Sequence, residues 1–238
     1  VAAASYSYGS ADEYLQMAYG PAATLTSYHA FVERQITASS YLQVLVDEKP
    51  YTEDDISKYY DDNADSYAGN GIEKSDVKMV NVRHILIQPE GKNDDGTYTD
   101  EAWAEAEKKA NDLLTEWQNG EHTEDSFAFM AAENSQDPGS VENGGLYEDI
   151  YPGKMVDEFD AWCFDPARQP GDTGIVKTSY GYHIMYFSST GEHAYWYVRA
   201  EEDYLNELSV SVLQEVAAKF EATESEQNAA IVDIMQQN

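Results

Sequence analysis

Two short stretches decide the fold: VRHILIQ, Val82 to Gln88, and GYHIMYF, Gly181 to Phe187. Each is a brief apolar run rich in β-branched and aromatic residues, which reads as a strand. Each carries one histidine, His84 and His183, in a chain that has only five. A lone histidine in a strand is most often a hydrogen-bonded core residue. Two in similar surroundings, about a hundred residues apart, call for a further explanation.

Working outward, Val77 to Ile87 forms the first strand and QPEGKNDDGTYTD the loop that leaves it. Glu101–Asn119 reads as a helix, with Trp103, Ala106, Ala110, Leu113, Leu114 and Trp117 on one face and Gly120 as its stop. Thr123–Asn134 is a second helix, with Phe127, Met130 and Ala131 inward. SQDPGSVENGG is a loop, and YPGKMVDEFDAWCF carries a short helix. DTGIVKT and YGYHIMYF are two strands joined by a tight turn. Strand, helix, helix, helix, strand, strand is an α+β order.

Both flanks are helical. Ser10 to Val46 shows apolar spacings of three and four, broken at Gly20-Pro21 and stopped by Pro50. Thr52 caps a further helix whose face is Ile56, Tyr59 and Tyr60, and Gly69-Asn70-Gly71 marks a boundary. From Tyr195 to about Phe220 the chain is helical again, and a short apolar ending follows at Ile231, Val232, Ile234 and Met235. The reading is three segments: a helical segment 1–75, an α+β domain 76–192, and a helix 193–238 that packs with the first segment. Residues 1–9 read as a flexible tail, the remnant of a trimmed start or of a removed signal.

The chain has 238 residues, 42% of them hydrophobic, enough for a sizeable core. Its net charge of −31 argues against nucleic acid and anionic membrane surfaces as partners. The single cysteine, Cys163, excludes an intrachain disulfide and a cysteine metal cage. That fits a reducing compartment or a cell surface whose proteins avoid disulfides. No run approaches the roughly 18 apolar residues of a spanning helix. DDNADSYAGNGIE imitates a calcium loop, but Ser66 stands where the turn glycine belongs and Glu73 falls one place late. His29, His122 and His193 read as surface or packing residues.

The stretch from Val77 to Ser189 resembles the parvulin-type peptidyl-prolyl isomerases. The resemblance rests on VRHILI, NSQDPGSVENGGLY, PGKMVDEFDAWCF and KTSYGYHIMYF, in that order and at the family's spacing. It implies a four-stranded antiparallel sheet with surrounding helices, inserted between N- and C-terminal helical segments. Those segments resemble the chaperone lobe of extracytoplasmic foldases. It also implies roles. His84 and His183 match the paired histidines, Asp137 the position that holds Cys or Asp, and Thr178 a hydroxyl of the histidine network. Leu146, Met155 and Phe159 match the walls of a proline slot. Read singly, Leu146, Met155 and Phe159 are ordinary core residues, Asp137 a turn residue before Pro138-Gly139, and Thr178 a strand residue.

The implied function is isomerisation of X–Pro bonds in unfolded or partly folded polypeptides, outside the cytoplasm, with a membrane anchor as one arrangement. With Asp at 137 a covalent thiol route is closed there. No cofactor is expected; His84, His183 and Asp137 could ligate zinc, but the resemblance explains them without metal. The family's GGDLG reads NGGLY here, from Asn143 to Tyr147. The loop after the first strand has Lys92 but no arginine, and Asp94 and Asp95 would repel phosphate, so no phosphate preference is expected. The rival reading is a parvulin-fold holdase or binding module with weak catalysis.

Overall fold

The computed structural model describes residues 9–219. Of the expected tail only Gly9 falls among them, and the apolar ending at Ile231, Val232, Ile234 and Met235 lies outside them. The described residues divide into two compact units, 9–59 with 201–219, and 60–200.

The first unit holds helices α1 (Ala11–Tyr19) and α2 (Leu25–Asp47), most of α3 (Glu53–Asp62) and most of α8 (Tyr195–Ala217). Ser10 caps α1, and Thr24 with Ser27 forms a capping box at α2, so each start satisfies amides the helix leaves open. Asp12 accepts from the Leu25 amide at 2.5 Å and ties α1 to α2. Lys49 pairs with Glu215 at 3.0 Å, and Tyr51 packs against Tyr204 with ring centroids 5.7 Å apart. Leu15, Val46, Ile56 and Val212 are the buried apolar residues here.

The second unit is built on a four-stranded antiparallel sheet in the order β2–β1–β4–β3. Its strands are β1 (Lys78–Ile87), β2 (Leu146–Ile150), β3 (Thr173–Thr178) and β4 (Gly181–Ala194). Periodicity alone marked three of these. LYEDI is too short and too polar to announce itself, and it forms an edge strand held through β1. Helices α4 (Ala64–Gly69), α5 (Asp100–Asn119), α6 (Glu124–Asn134) and α7 (Asp157–Cys163) complete the unit. Tyr60, Tyr67 and Trp196 form an aromatic cluster in this unit, with Tyr60 and Tyr67 stacked at 4.8 Å.

Strand side chains alternate between the two faces. Ile85, Ile87, Tyr182, Ile184 and Tyr186 meet Ala106, Ala110, Leu113 and Trp117 of α5 and Phe127 and Ala131 of α6. The opposite face carries Val80, Val82, Ile150, Val176, Met185 and Phe187, packed against Phe159 and Cys163 of α7. His84 and His183 occupy that second face. The register sets His84 against Met185 and Leu86 against His183, so the two histidines are diagonal neighbours on adjacent strands.

Candidate functional site

The two rings meet edge to edge. His84 Nδ1 lies 3.0 Å from His183 Nδ1, and both side chains are buried. Thr178 ends β3 opposite Gly181, and its Oγ1 lies 2.9 Å from His183 Nε2. The Tyr180 amide donates to Thr178 Oγ1 at 3.1 Å, which fixes the hydroxyl in the β3–β4 turn.

Asp137 reaches the site through a loop that runs beside the end of β1. Ser135 Oγ accepts from the Leu86 and Asp137 amides, and the Gln136 amide donates to the Leu86 carbonyl. The chain then turns at Pro138-Gly139, with the Val141 amide donating to the Asp137 carbonyl at 3.1 Å. Asp137 Oδ2 is thereby placed 3.0 Å from His84 Nε2. Ser140 donates to the same oxygen at 2.5 Å, and Tyr147 donates to it at 3.0 Å.

With both imidazoles neutral, one set of tautomers satisfies every pair. Asp137 as carboxylate only accepts, so His84 Nε2 carries a proton that it shares with Asp137 and the Ser140 hydroxyl. His84 Nδ1 then accepts from His183 Nδ1–H, and His183 Nε2 accepts from the Thr178 hydroxyl. In that set the relay runs one way, from Thr178 to Asp137. The bond from His84 leads in holding the Asp137 carboxyl far below the usual carboxylate range, helped by Ser140 and Tyr147 and opposed by partial burial. Burial, with His84 alongside, pushes His183 down to about 4. Burial, then the Asp137 carboxylate, lifts the Tyr147 phenol to about 12, so it remains a donor.

Above this relay opens a cleft of about 430 Å³. Met155, Val156 and Phe159 line it together with Leu86, Tyr147 and Tyr180. Phe159 stands edge-on to both imidazoles, 5.4 Å from each centroid. The cleft is mainly apolar, and His84, His183 and Asp137 bring titratable groups to its floor.

Six of the seven residues singled out from sequence thus come together: His84, His183, Asp137 and Thr178 in the relay, Met155 and Phe159 in the wall. Leu146 does not. It pairs with Arg83, so it points to the helical face, and Tyr147 occupies the wall instead. Tyr147 pairs with Val82, whose side chain lies on the cleft side of the sheet. In a strand one place changes the face. Ser140 and Tyr147 were missed. A serine three residues after the turn-forming Asp137 was the available signal for the first.

Cys163 ends α7 and faces the core, where burial lifts its thiol to about 12. The lysines nearest in sequence are tethered elsewhere. Lys154 donates to the carbonyls of Glu148 and Asp149, Lys92 lies over Tyr98, and Lys177 lies over Trp103. No helix among the described residues is long and apolar enough to cross a membrane. His122 packs on Trp117 and His193 on Tyr197, while His29 is exposed.

A paired-histidine relay beneath an apolar cleft on this sheet defines the class: residues 70–189 match the PPIC-type PPIase domain, and the chain belongs to that family. Among similar proteins, "Foldase protein PrsA 1" of Listeria innocua is 31% identical over 106 residues, 44% of this chain and 29% of that one. "Foldase protein PrsA" of a Geobacillus strain is 44% identical over 80 residues, 33% of this chain and 27% of that one. "Chaperone SurA" of Pseudomonas savastanoi is 35% identical over 107 residues, 44% of this chain and 22% of that one. The matches thus span less than a third of these relatives. The crystal structure of PrsA from Bacillus subtilis covers 92% of this chain and 72% of its own, at 20% identity and a TM-score of 0.40.

Proposed function

We propose that this protein catalyses cis/trans isomerisation of X–Pro bonds in unfolded or partly folded polypeptides, by a noncovalent route and outside the cytoplasm. The observation that carries the reading is the closed relay Thr178–His183–His84–Asp137 at the floor of an apolar cleft, within a PPIC-type domain.

The chemistry asks for little else. Rotation about the X–Pro bond must break amide resonance, against a barrier of about 18–20 kcal/mol. In the twisted amide the nitrogen is more basic and the carbonyl more polar. A catalyst gains rate only from contacts that strengthen as the bond twists. Met155, Val156 and Phe159 offer a slot for the pyrrolidine ring. The paired imidazoles and the Asp137 carboxylate form a preorganised field beside it. With Cys163 buried outside the cleft, no thiol attacks the substrate.

The site's finer preference follows from charge. Asp137 is the cleft's fixed charge, and Lys92, Lys154 and Lys177 are held elsewhere. A phosphate before proline would meet a carboxylate and no cation. A neutral or basic residue at that place is the preferred substrate. The helical unit would hold exposed apolar segments of the same client.

Exchange NMR on Ala–Pro, Lys–Pro, Glu–Pro and phosphoSer–Pro peptides, with catalytic protein and a His84→Ala control, tests the reading. Faster exchange for Ala–Pro and Lys–Pro, none for phosphoSer–Pro and none with the variant is expected. No acceleration of any peptide would leave the holdase as the function of the cleft.

A further inference from the structure

We infer that Tyr147 is a positioning residue of the isomerase site: its hydroxyl locks the Asp137 carboxylate onto His84, and the bare backbone of Gly139 makes room for it. The inference rests on the isomerase reading and adds a residue to its machinery.

Three donors converge on one oxygen. His84, Ser140 and Tyr147 all point at Asp137 Oδ2, whereas Oδ1 receives the Gly139 amide at 3.3 Å. Ser140 belongs to the same loop as Asp137 and moves with it. Tyr147 comes from β2, a strand of the sheet, and so anchors the carboxylate to the frame that carries His84. Its ring also stacks on His84, with centroids 5.3 Å apart and planes 28° apart. Tyr147 therefore holds both ends of one interaction, the imidazole through its face and the carboxylate through its hydroxyl. An aliphatic side chain at 147 could line the wall but could do neither.

Gly139 completes the arrangement. A Cβ added there would stand 2.5 Å from Tyr147 Oη and 3.6 Å from the Asp137 carboxylate oxygens. Gly139 is not among the glycines with positive φ, so alanine is acceptable to the backbone. Its cost would come from pushing the phenol off Asp137.

The test is a double-mutant cycle of Tyr147→Phe and Gly139→Ala, read by exchange NMR on Ala–Pro peptide. Tyr147→Phe keeps the ring, so KM stays near wild type while kcat falls about tenfold, one charge-assisted hydrogen bond. Gly139→Ala lowers kcat in the wild-type background and has little further effect in Tyr147→Phe, where the hydroxyl it displaces is gone. Unchanged kcat in Tyr147→Phe would overturn the inference, as would effects of the two changes that simply add. A loss that tracks only the fraction folded, followed by thermal melting, would do the same. An inactive wild type would instead sink the isomerase reading itself.

Discussion

His84 and His183 stand 99 residues apart in the chain and 3.0 Å apart at their Nδ1 atoms. Two cationic imidazoles could not share that contact. Each would present an N–H, and both rings are buried. At most one of the two rings can therefore carry a charge, and the stability of the pair depends on pH.

The sign of that dependence is set by His183, whose pKa falls to about 4 from an ordinary 6.5 through burial and the proximity of His84. Between those values the unfolded chain takes a proton that the folded one refuses. Stability is complete above pH 6.5 and declines as pH falls toward 4, by roughly 3 kcal/mol in all. The lowered Asp137 pKa extends the loss to still lower pH. Urea midpoints from pH 7 to pH 4 should fall steeply for wild type and less for His183→Gln. Parallel curves would refute the assignment.

Asp137→Asn replaces a pure acceptor by an amide that must turn one donor-bearing end away from His84, Ser140 and Tyr147. Isomerase activity should drop about tenfold or more, with the fold retained. Activity within about twofold of wild type, with melting intact, would remove Asp137 from the mechanism.

Gly145 joins β2 to the histidine strand. The His84 amide donates to its carbonyl at 2.8 Å, and with φ +73° an added Cβ would run into the His84 carbonyl. Gly145→Ala should cost about 3 kcal/mol or more, since strain and clash add. Gly153→Ala is the comparison: φ is +84° but nothing lies within 4 Å, so about 1 kcal/mol is expected. Guanidinium midpoints measure both. Equal losses would mean that backbone strain alone matters at Gly145.

Cys163 offers a plain negative control. It is 1% exposed and its thiol is pushed up to about 12. Iodoacetamide should leave native protein unmodified and isomerisation unchanged. Rapid alkylation without unfolding would place a reactive thiol where the structure has a core residue.

Much of this was legible in the sequence. β-branched runs, the spacing of Trp103 to Trp117 and the stops at Gly20 and Gly120 marked strands and helices, because local periodicity reports which face an element buries. The motifs around His84, Asp137, Met155, Phe159, Thr178 and His183 marked the side chains that share one cleft. What the chain alone could not supply was pairing. LYEDI has no strand signature of its own and becomes β2 only by bonding to β1. Register along that edge, a property of two strands at once, decided that Leu146 faces the helices and Tyr147 the cleft. Tertiary structure likewise decided that Ser140 and Tyr147 meet at one oxygen of Asp137, because hydrogen bonds between loop and sheet depend on positions that local sequence does not encode.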